Sequence, residues 1–417
     1  MSFKVIETFS GIGAQAKALS NLANKDEKYK YKVVTTVEWE LGAIYAYDII
    51  HNGKQQIVKY EAYTKEELLS ELSKYNLSND GKERLPFSSL KRMNEDYLRA
   101  ILYSINKNNN LVDISSVKAT DLPDADLLTY SFPCQDLSIS SYWHGNFSGI
   151  DKNVKNRSGL LWEIERILKE YNEVNKKLPR FLIMENVTAI QSALHKKNFD
   201  LWISELDNLG YESNTQNLNA TKYGIPQNRN RTFMLSVYVK DLNDSEYKKV
   251  KEFFEHWYIP EIEKKGKLKD FLRVNPNNPK YFEEAKESTP NDTMSRRMIR
   301  EDSQILSYGR NVVDTITKTI TTKQDRNPNA GIIMHQQNFG NGKINYRNLT
   351  PRETFLLMGF DETDFDKLEE NNFYVSKSRK ILSHSKLLKL AGNSIVVAIL
   401  ESIFKNIIDF KVEHNIN

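Results

Sequence analysis

The chain has 417 residues, of which 39% are hydrophobic and 27% are charged, and a formal net charge of +4. This composition excludes a disordered chain, and the length predicts two domains or one large domain with an inserted lobe. The single cysteine, Cys134, excludes a disulfide framework, a cysteine-rich zinc site and an iron–sulfur cluster, and it favours a reducing, cytoplasmic location. We expect no metal site. We also expect no membrane partner, because no run approaches the roughly 20 apolar residues of a membrane helix.

Short apolar runs rich in β-branched residues alternate with helical patterns over the first 240 residues. The runs predict strands at Lys4–Phe9, Lys32–Trp39, Asp126–Phe132, Arg180–Val187 and Thr232–Val239. Helical spacing predicts helices at Gly13–Leu22 and Ser158–Val174. Such alternation is typical of a doubly wound α/β fold, in which helices cover both faces of a mostly parallel sheet.

Two segments interrupt this pattern. Residues 53–111 form a helical insertion, with candidate helices at Thr64–Lys74 and Leu90–Ile105. After a charged helical stretch, Asp244–Trp257, the periodicity weakens, and we expect a smaller β-rich or irregular lobe. The amphipathic run Lys386–Phe404 predicts the helix that ends the chain. The predicted domains are a large domain at 1–264, a small domain at 265–375 and a C-terminal helix at 376–417 that returns to the large domain.

A glycine-rich turn, Phe9-Ser-Gly-Ile-Gly13, follows the first strand. Glycine lets backbone amides approach a ligand at a helix N-terminus, although a tight turn without a ligand is an open alternative. Glu38 ends the second strand, where carboxylates commonly bind ribose hydroxyls, and the neighbouring Trp39 could stack on a base. The alternative is an exposed carboxylate beside a half-buried indole. Together the two features favour an adenosine-containing cofactor.

Three later clusters could carry chemistry. Cys134 follows a strand at the sheet edge where ligands gather, yet a lone cysteine is often an inert small hydrophobe. A reactive thiolate there needs a lowered pKa, which a helix N-terminus or a cation can provide, and the candidate cations are nearby arginines. Glu185 ends an apolar run at the same edge, either with a function or in a salt bridge. Three polar donors share one face of an extended segment: Gln227, Arg229 and Arg231. They suit an anion or the carbonyl edge of a base, and the alternative is a strand edge exposed to solvent.

In chain order, these clusters resemble the motifs of the cytosine-C5 DNA methyltransferases, especially bacterial and mollicute-type members. The resemblance covers roughly 1–52, 111–240 and 345–405. The segments that carry it are Phe9–Gly13, Glu38-Trp39, Asp113-Ile114, Pro133-Cys134-Gln135, Arg157–Ile167, Glu185-Asn186-Val187, Gln227/Arg229/Arg231, Arg347–Gly359 and Gly392-Asn393-Ser394. It implies a Rossmann-like methyltransferase fold with a target-recognition domain in the position of the small lobe.

The same resemblance implies S-adenosylmethionine as the cofactor and duplex DNA as the substrate. Cys134 would add to C6 of a flipped-out cytosine, so that C5 can accept a methyl group. Glu185 would stabilise charge at N3, Arg231 would bind O2, and Arg229 would lie beside the nucleophile. The implied cofactor contacts are Phe9, Gly11, Gly13, Glu38, Trp39, Asp113, Ile114, Leu160, Asn393 and Ser394, with Pro133 fixing the loop before the cysteine.

DNA contacts are expected from a loop and from the small lobe. The polar segment Gln135–Asn156 resembles the loop that closes on DNA in this family, although a plain surface loop is the alternative. The segment between Asn291 and Lys343 contains eight basic and five acidic residues. This modest excess of positive charge suits contact with DNA. The candidate DNA-binding residues are Gln135, Ser138, Ser140, Gln227, Arg296, Arg297, Arg310, Lys323 and Arg326.

The favoured function is a DNA cytosine-C5 methyltransferase, either solitary or the functional partner of a cognate restriction endonuclease. One alternative is the same chemistry on tRNA, and another is a catalytically silent DNA-binding relative. A cysteine hydrolase is disfavoured because the seven histidines are scattered along the chain. For the insertion at 53–111 we expect a structural appendage. The sharper alternative is phosphate contact from its basic residues, which include Lys82, Arg84, Lys91 and Arg92.

Overall fold

The computed structural model describes residues 2–137, 149–152, 156–257, 259–262, 265–340 and 342–416. Its larger part is built on a six-stranded sheet with the order β2-β1-β3-β4-β6-β5. The strands are β1 (Phe3–Thr8), β2 (Tyr31–Val37), β3 (Leu127–Tyr130), β4 (Phe181–Val187), β5 (Tyr211–Asn219) and β6 (Asn230–Tyr238). The first four pair in parallel, and β6 runs antiparallel between β4 and β5.

The predicted α/β fold with a mostly parallel sheet is confirmed, with two differences at one edge. The strand predicted at Thr232–Val239 is antiparallel, and β5 was not predicted at all. The sequence of β5 is polar, and its buried side chains are confined to positions near its ends, Tyr211 and Leu218. An edge strand has one side free of neighbours, so it needs no apolar run and lacks the signal by which central strands are recognised.

Helices cover both faces of the large sheet, because alternate side chains of each strand point to opposite sides. In β1, Val5 packs into the cluster on one face and Ile6 into the cluster on the other, and both are fully buried. The first face carries α1 (Ala14–Ala23), α2 (Leu41–Asn52), α9 (Asp244–Glu255), α14 (His384–Asn393) and α15 (Val397–His414). The second face carries α7 (Leu161–Glu173) and α8 (Lys196–Leu209).

The insertion adds α3 (Val58–Glu61), α4 (Lys65–Leu72), α5 (Phe87–Lys91) and α6 (Glu95–Lys107). Thr64 and Glu67 form a capping box that starts α4. The single helix predicted over Leu90–Ile105 is wrong, because the Asn94 side chain accepts the Tyr97 amide at 2.9 Å and starts a new helix. The apolar faces of α4 and α6 join the first core cluster, so the insertion is part of that core.

The smaller part contains a four-stranded sheet with the order β10-β9-β7-β8. Its strands are β7 (Ile305–Tyr308), β8 (Asn311–Val312), β9 (Ile332–Met334) and β10 (Tyr346–Asn348). The expected smaller β-rich lobe is therefore present. It also has helices that weak periodicity had hidden: α10 (Pro279–Glu287), α11 (Met294–Asp302), α12 (Pro351–Leu356) and α13 (Glu362–Glu370). The domain boundaries stay a prediction, and Phe355 and Phe365 pack into the first core cluster of the large part.

The helix predicted at Lys386–Phe404 is instead two helices, α14 and α15, because the chain leaves the helical conformation at Ser394. By length and composition the stretch His384–His414 could cross a membrane, with a mean hydropathy of 1.7, contrary to our reading of the sequence. However, 72% of its apolar window is buried inside the protein, as in a core helix. Short 3-10 turns complete the fold at Glu27–Tyr29, Ala119–Asp121, Ser158–Leu160, Thr188–Gln191, Ala220–Tyr223 and Leu268–Asp270.

Candidate active site

An open cavity of about 1430 Å³, counting the part open to solvent, lies at the carboxyl ends of the parallel strands. This is the edge where ligands bind in open α/β sheets. The cavity brings together predicted residues from segments far apart in the chain. Those that line it are Phe9, Gly11, Glu38, Trp39, Asp113, Ile114, Pro133, Cys134, Gln135, Leu160, Glu185, Arg229, Arg231, Asn393 and Ser394.

The glycine-rich turn after β1 has left-handed backbone at Phe9, Gly11 and Gly13. Gly11 lines the cavity, and a β-carbon there would meet nothing within 4 Å. Gly13 does not line it, and a β-carbon there would lie 2.2 Å from His51 Nε2 and 2.6 Å from the Tyr47 ring. Gly13 therefore permits helix packing, and its position does not support the cofactor contact that we predicted.

Glu38 is held in place by backbone amides. Its Oε2 accepts the Gly11 amide at 3.0 Å, and its Oε1 accepts the Glu40 amide at 2.8 Å. The Asn110 side chain pairs with both the amide and the carbonyl of Glu38, at 3.0 and 2.9 Å. Burial raises the pKa of Glu38 to about 7. The half-buried Trp39 follows it along the cavity wall, so a fixed carboxyl group and an indole stand side by side.

Asp113 is fixed in the same way on the neighbouring wall. Its Oδ1 accepts the amide and the hydroxyl of Ser115, at 3.0 and 2.6 Å. Its Oδ2 accepts Asn76 Nδ2 at 2.8 Å. Ile114 is buried beside it. This wall therefore offers a polar group of defined orientation next to an apolar surface.

The turn that carries Cys134 is tied down on both sides. Asn186 Nδ2 donates to the carbonyl of Phe132 at 3.1 Å, and Ser158 Oγ donates to that of Pro133 at 2.7 Å. The Leu137 amide closes the turn on the Cys134 carbonyl at 3.1 Å. Cys134 is half-buried at the cavity wall, so its sulfur has a defined position.

Glu185 lies near the end of β4, which pairs with β3, the strand that precedes Cys134. Ser131 Oγ donates to Glu185 Oε2 at 2.6 Å, and Arg231 Nε lies 3.3 Å from Glu185 Oε1. We had not predicted Ser131. The register of the two parallel strands explains the contact. Tyr130 pairs with Met184, so the residues that follow them, Ser131 and Glu185, are neighbours.

Burial raises the pKa of the Cys134 thiol, and the Glu185 charge raises it further. Arg231 and Arg229 lower the pKa but do not outweigh burial. We had expected the arginines to produce a thiolate, and this expectation is corrected: the desolvation of a thiolate is the larger effect in the isolated protein.

Arg229 is buried and links three parts of the chain. Its guanidinium donates to the carbonyls of Ile320 at 3.0 Å, Gly392 at 3.1 Å and Ser394 at 2.7 Å. Burial lowers its pKa to about 9, and the nearby Arg231 lowers it as well. Arg229 therefore joins the small lobe to the segment after α14, and its effect on Cys134 is electrostatic.

Gln227 was predicted to contact DNA, and this is corrected because the residue is fully buried. Its Nε2 donates to the Leu357 carbonyl at 2.8 Å, and its Oε1 accepts the Ile320 amide at 3.0 Å. The exposed residues of this segment are the intervening Asn228 and Asn230. The small lobe therefore covers Gln227, whereas Arg229 and Arg231 of the same face line the cavity.

The family model for C-5 cytosine-specific DNA methylases matches residues 82–409. The chain belongs to this family. It is a DNA cytosine-C5 methyltransferase with bacterial relatives that match over nearly their whole length. The orphan methyltransferase M.SssI of Spiroplasma monobiae is 33% identical over 414 residues, covering 97% of both chains. The type II methyltransferase M2.ScrFI of Lactococcus lactis is 32% identical over 413 residues, covering 97% of this chain and 98% of the relative.

Solved structures agree on the fold. The Dnmt2 methyltransferase of S. pombe superposes with a TM-score of 0.59 at 18% identity, covering 98% of this chain and 99% of that chain. The Entamoeba histolytica methyltransferase EhMeth superposes with a TM-score of 0.55 at 14% identity, covering 98% of each. Identities this low support the shared fold alone, which is the Rossmann-like methyltransferase fold with a second, smaller sheet.

Most DNA-contact candidates of the methyltransferase lie on the small lobe. Arg296 donates to the Arg326 carbonyl at 3.1 Å, and Arg297 pairs with Asp292 at 2.8 Å. Four candidates are exposed on the small lobe: Arg297, Arg310, Lys323 and Arg326. Ser138 and Ser140 lie outside the described residues. The lobe therefore presents basic side chains to solvent, and their contact with DNA stays a prediction.

The residues that line the methyltransferase cavity without having been predicted include Arg157 and Gly81. Arg157 Nη2 donates to the Gly81 carbonyl at 2.8 Å, and its Nη1 donates to Gln135 Oε1. The motif that begins at Arg157 was the available signal for the first. Gly81 belongs to the insertion, whose sequence has no motif that could have indicated its position.

Proposed function

We propose that the methyltransferase transfers a methyl group from S-adenosylmethionine to C5 of a flipped-out cytosine in a specific short DNA sequence. The reaction would proceed through a covalent bond between Cys134 and C6. One observation carries this proposal: the only cysteine of the chain lines the same cavity as Glu185, which Ser131 and Arg231 hold. The rest of the cavity has room for a cofactor.

The residues on the cavity walls fit S-adenosylmethionine. Hydroxyl groups of a ribose match the Glu38 carboxyl group, which the Gly11 amide holds in place, and a purine matches the indole of Trp39. When bound, this cofactor supplies an electrophilic methyl group. The residues proposed to hold it are Phe9, Gly11, Glu38, Trp39, Asp113, Ile114, Leu160, Asn393 and Ser394, with Pro133 fixing the turn.

In the proposed chemistry, Cys134 loses its thiol proton and its sulfur forms a bond to C6, which makes C5 nucleophilic. Glu185 holds a proton at N3, where negative charge would otherwise accumulate, and Arg231 binds O2. After methyl transfer the C5 proton leaves, the C6–sulfur bond breaks, and the electron pair returns to Cys134. Arg229 adds positive potential at the sulfur while it holds the Ser394 segment.

A cytosine inside a stacked duplex cannot reach Cys134, so it must swing out of the helix. We propose that the segment around Gln135, Ser138 and Ser140 closes on the DNA. The small lobe would contact the target with Arg296, Arg297, Arg310, Lys323 and Arg326. One similar protein is an orphan methyltransferase and another is a type II methyltransferase. We therefore infer a cytoplasmic enzyme that is solitary or paired with a cognate restriction endonuclease.

The test is methyl transfer to defined nucleic acids. The protein is incubated with labelled S-adenosylmethionine and mixed-sequence duplex DNA, and modified bases are located by bisulfite sequencing. We expect 5-methylcytosine at one short sequence and none with Cys134→Ala. Absence of 5-methylcytosine, or full transfer by Cys134→Ala, would contradict the proposal. The matching family acts on DNA, so tRNA in a parallel reaction should stay unlabelled.

A further inference from the structure

The insertion at 53–111 reaches the cavity through one turn, Ser78–Glu83, called here the pocket turn. Gly81 of this turn lines the cavity. The turn is joined to the wall that carries Trp39, since the Ser78 amide donates to the Trp39 carbonyl at 2.8 Å and the Leu41 amide donates to the Ser78 carbonyl at 2.9 Å. The insertion therefore supports the wall of the cavity to which we assign the purine.

The pocket turn is held by a buried hydroxyl group and by the Asp80 carboxylate, which accepts the amides of Lys82 at 2.9 Å and Glu83 at 3.4 Å. Ser78 is fully buried, and its Oγ accepts the Gly81 amide at 2.9 Å and donates to the Glu83 carbonyl at 2.6 Å. Gly81 has a left-handed backbone with φ of +69°, and a β-carbon there would lie 3.0 Å from Glu40 Oε2. The turn therefore packs directly against the residue that follows Trp39.

Lys389 of α14 also binds the pocket turn. Lys389 Nζ donates to Glu40 Oε2 at 2.7 Å and to the Asp80 carbonyl at 2.6 Å. One ammonium group thus bridges the β2–α2 connection and the insertion. Charge-assisted hydrogen bonds of this kind are stronger than neutral ones.

The pocket turn is also linked to the nucleophile's neighbour. Arg157 donates to the Gly81 carbonyl with Nη2 and to the Gln135 side chain with Nη1. Gln135 directly follows Cys134. One guanidinium therefore ties the cofactor wall to the residue next to the nucleophile. Outside the turn, Asn76 of the insertion holds the Asp113 carboxylate.

We infer that the pocket turn is a positioning element of the methyltransferase: it holds the Trp39 wall for the cofactor and, through Arg157, holds Gln135 beside Cys134. The insertion is therefore a functional part of the cofactor site, where the sequence had indicated an appendage. The identity of the cofactor rests on the proposed function. The link between the turn and the walls rests on the contacts above.

Cofactor affinity of the full-length protein tests this inference. S-adenosylhomocysteine is titrated calorimetrically without DNA into the wild type, Ser78→Ala and Lys389→Met. Each variant removes hydrogen bonds of the pocket turn, so we expect its Kd to rise roughly three- to tenfold. Lys389→Met changes a different, partly exposed element, so it remains informative where Ser78→Ala folds poorly. Thr64→Ala is the matched control: it removes a helix cap of the insertion at a residue that does not line the cavity, and it should leave the Kd unchanged.

Steady-state kinetics separate the two links of the pocket turn, one to the Trp39 wall and one to Gln135 through Arg157. Ser78→Ala should raise the KM for S-adenosylmethionine while kcat stays within about twofold of wild type. Arg157→Met removes one hydrogen bond of the Gln135 side chain but leaves the contacts of the turn with Trp39, so it should lower kcat more than it raises this KM. Unchanged Kd values in both Ser78→Ala and Lys389→Met would overturn this inference and leave the proposed function standing. A wild type that binds no S-adenosylhomocysteine would overturn the proposed function and the inference with it.

Discussion

Arg231 lies beside Glu185, with 3.3 Å between Arg231 Nε and Glu185 Oε1. The direction of β6 explains this contact. Because β6 runs antiparallel to β4, its first residues lie at the edge where β4 ends, and Arg231 pairs with Val187. A parallel strand would have placed this arginine at the opposite edge of the sheet. The antiparallel strand is therefore what brings the arginine to Glu185.

The Ser131→Ala variant should lower kcat by roughly tenfold or more, because the Glu185 carboxylate loses a 2.6 Å hydrogen bond worth about 1.5–3 kcal/mol. The affinity for S-adenosylhomocysteine should not change. Single-turnover methyl transfer measures the effect. Ser213→Ala is a suitable control, since Ser213 bonds to Ser236 on the β5–β6 pair away from the cavity. Equal rates for both variants would show that Ser131 does not orient Glu185.

The pH dependence of Cys134 should reflect its neighbours. Since burial and Glu185 raise the pKa of the thiol, alkylation by iodoacetamide should rise with pH and reach its midpoint above that of free cysteine. Arg231→Met removes a charge that lowers this pKa, so its midpoint should move to higher pH. Glu185→Gln removes a charge that raises it, so its midpoint should move to lower pH. The mass of the alkylated protein measures the reaction of Cys134 directly, because the chain has one cysteine. Shifts of the midpoints in the reverse directions would contradict the site electrostatics.

Glu7 should make the protein less stable at alkaline pH. It is fully buried in β1 without a well-formed hydrogen bond, and burial raises its pKa from 4.5 to about 8. The folded state therefore favours the protonated form, whose stabilisation is complete below pH 4.5 and is lost as pH rises to about 8.

The free energy of unfolding of Glu7→Gln, relative to that of wild type, should therefore increase by on the order of 3 kcal/mol when the pH is raised from 5 to 8.5. Urea unfolding at the two pH values measures this gain, with the exposed Glu66→Gln as the control. A gain of the same size in both variants, or no gain in Glu7→Gln, would contradict the assignment of the protonated form.

Gly392→Ala should destabilise the protein by about 1–3 kcal/mol through a steric clash. A β-carbon at Gly392 would lie 2.6 Å from the backbone of Thr321 in the small lobe. Without that contact, alanine in α14 would be more stable than glycine by up to about 1 kcal/mol. Gly42→Ala in α2 is the matched control, because its β-carbon would meet the movable side chain of Lys386. Urea unfolding measures the stability of both variants. A Gly392→Ala variant more stable than wild type would show that the Thr321 backbone is not in close contact with α14.

The central sheet and the site edge could be predicted because their signals are local. The strands β1, β3 and β4 are buried apolar runs, and Glu38, Cys134 and Glu185 directly follow or end such runs. Parallel strands end at one edge, so the chain order alone brought these side chains together.

The remaining features depend on contacts between distant segments. Gln227, Arg229 and Arg231 share one face by periodicity, but the small lobe covers Gln227 and Arg229 through Ile320, and this contact has no sequence pattern. Gly81 reaches the cavity because the insertion folds back onto Trp39. Burial of Cys134 outweighs the arginines, and burial is a property of the assembled fold.

Mechanism-based trapping of Cys134 tests the central claim most directly. Duplex DNA in which 5-fluorocytosine replaces the target cytosine is incubated with the protein and S-adenosylmethionine. Fluorine cannot leave as a proton does, so the C6–sulfur bond should persist. Peptide mass spectrometry should then find the adduct on Cys134. Absence of an adduct, while the wild type still methylates ordinary DNA, would contradict the covalent route through Cys134.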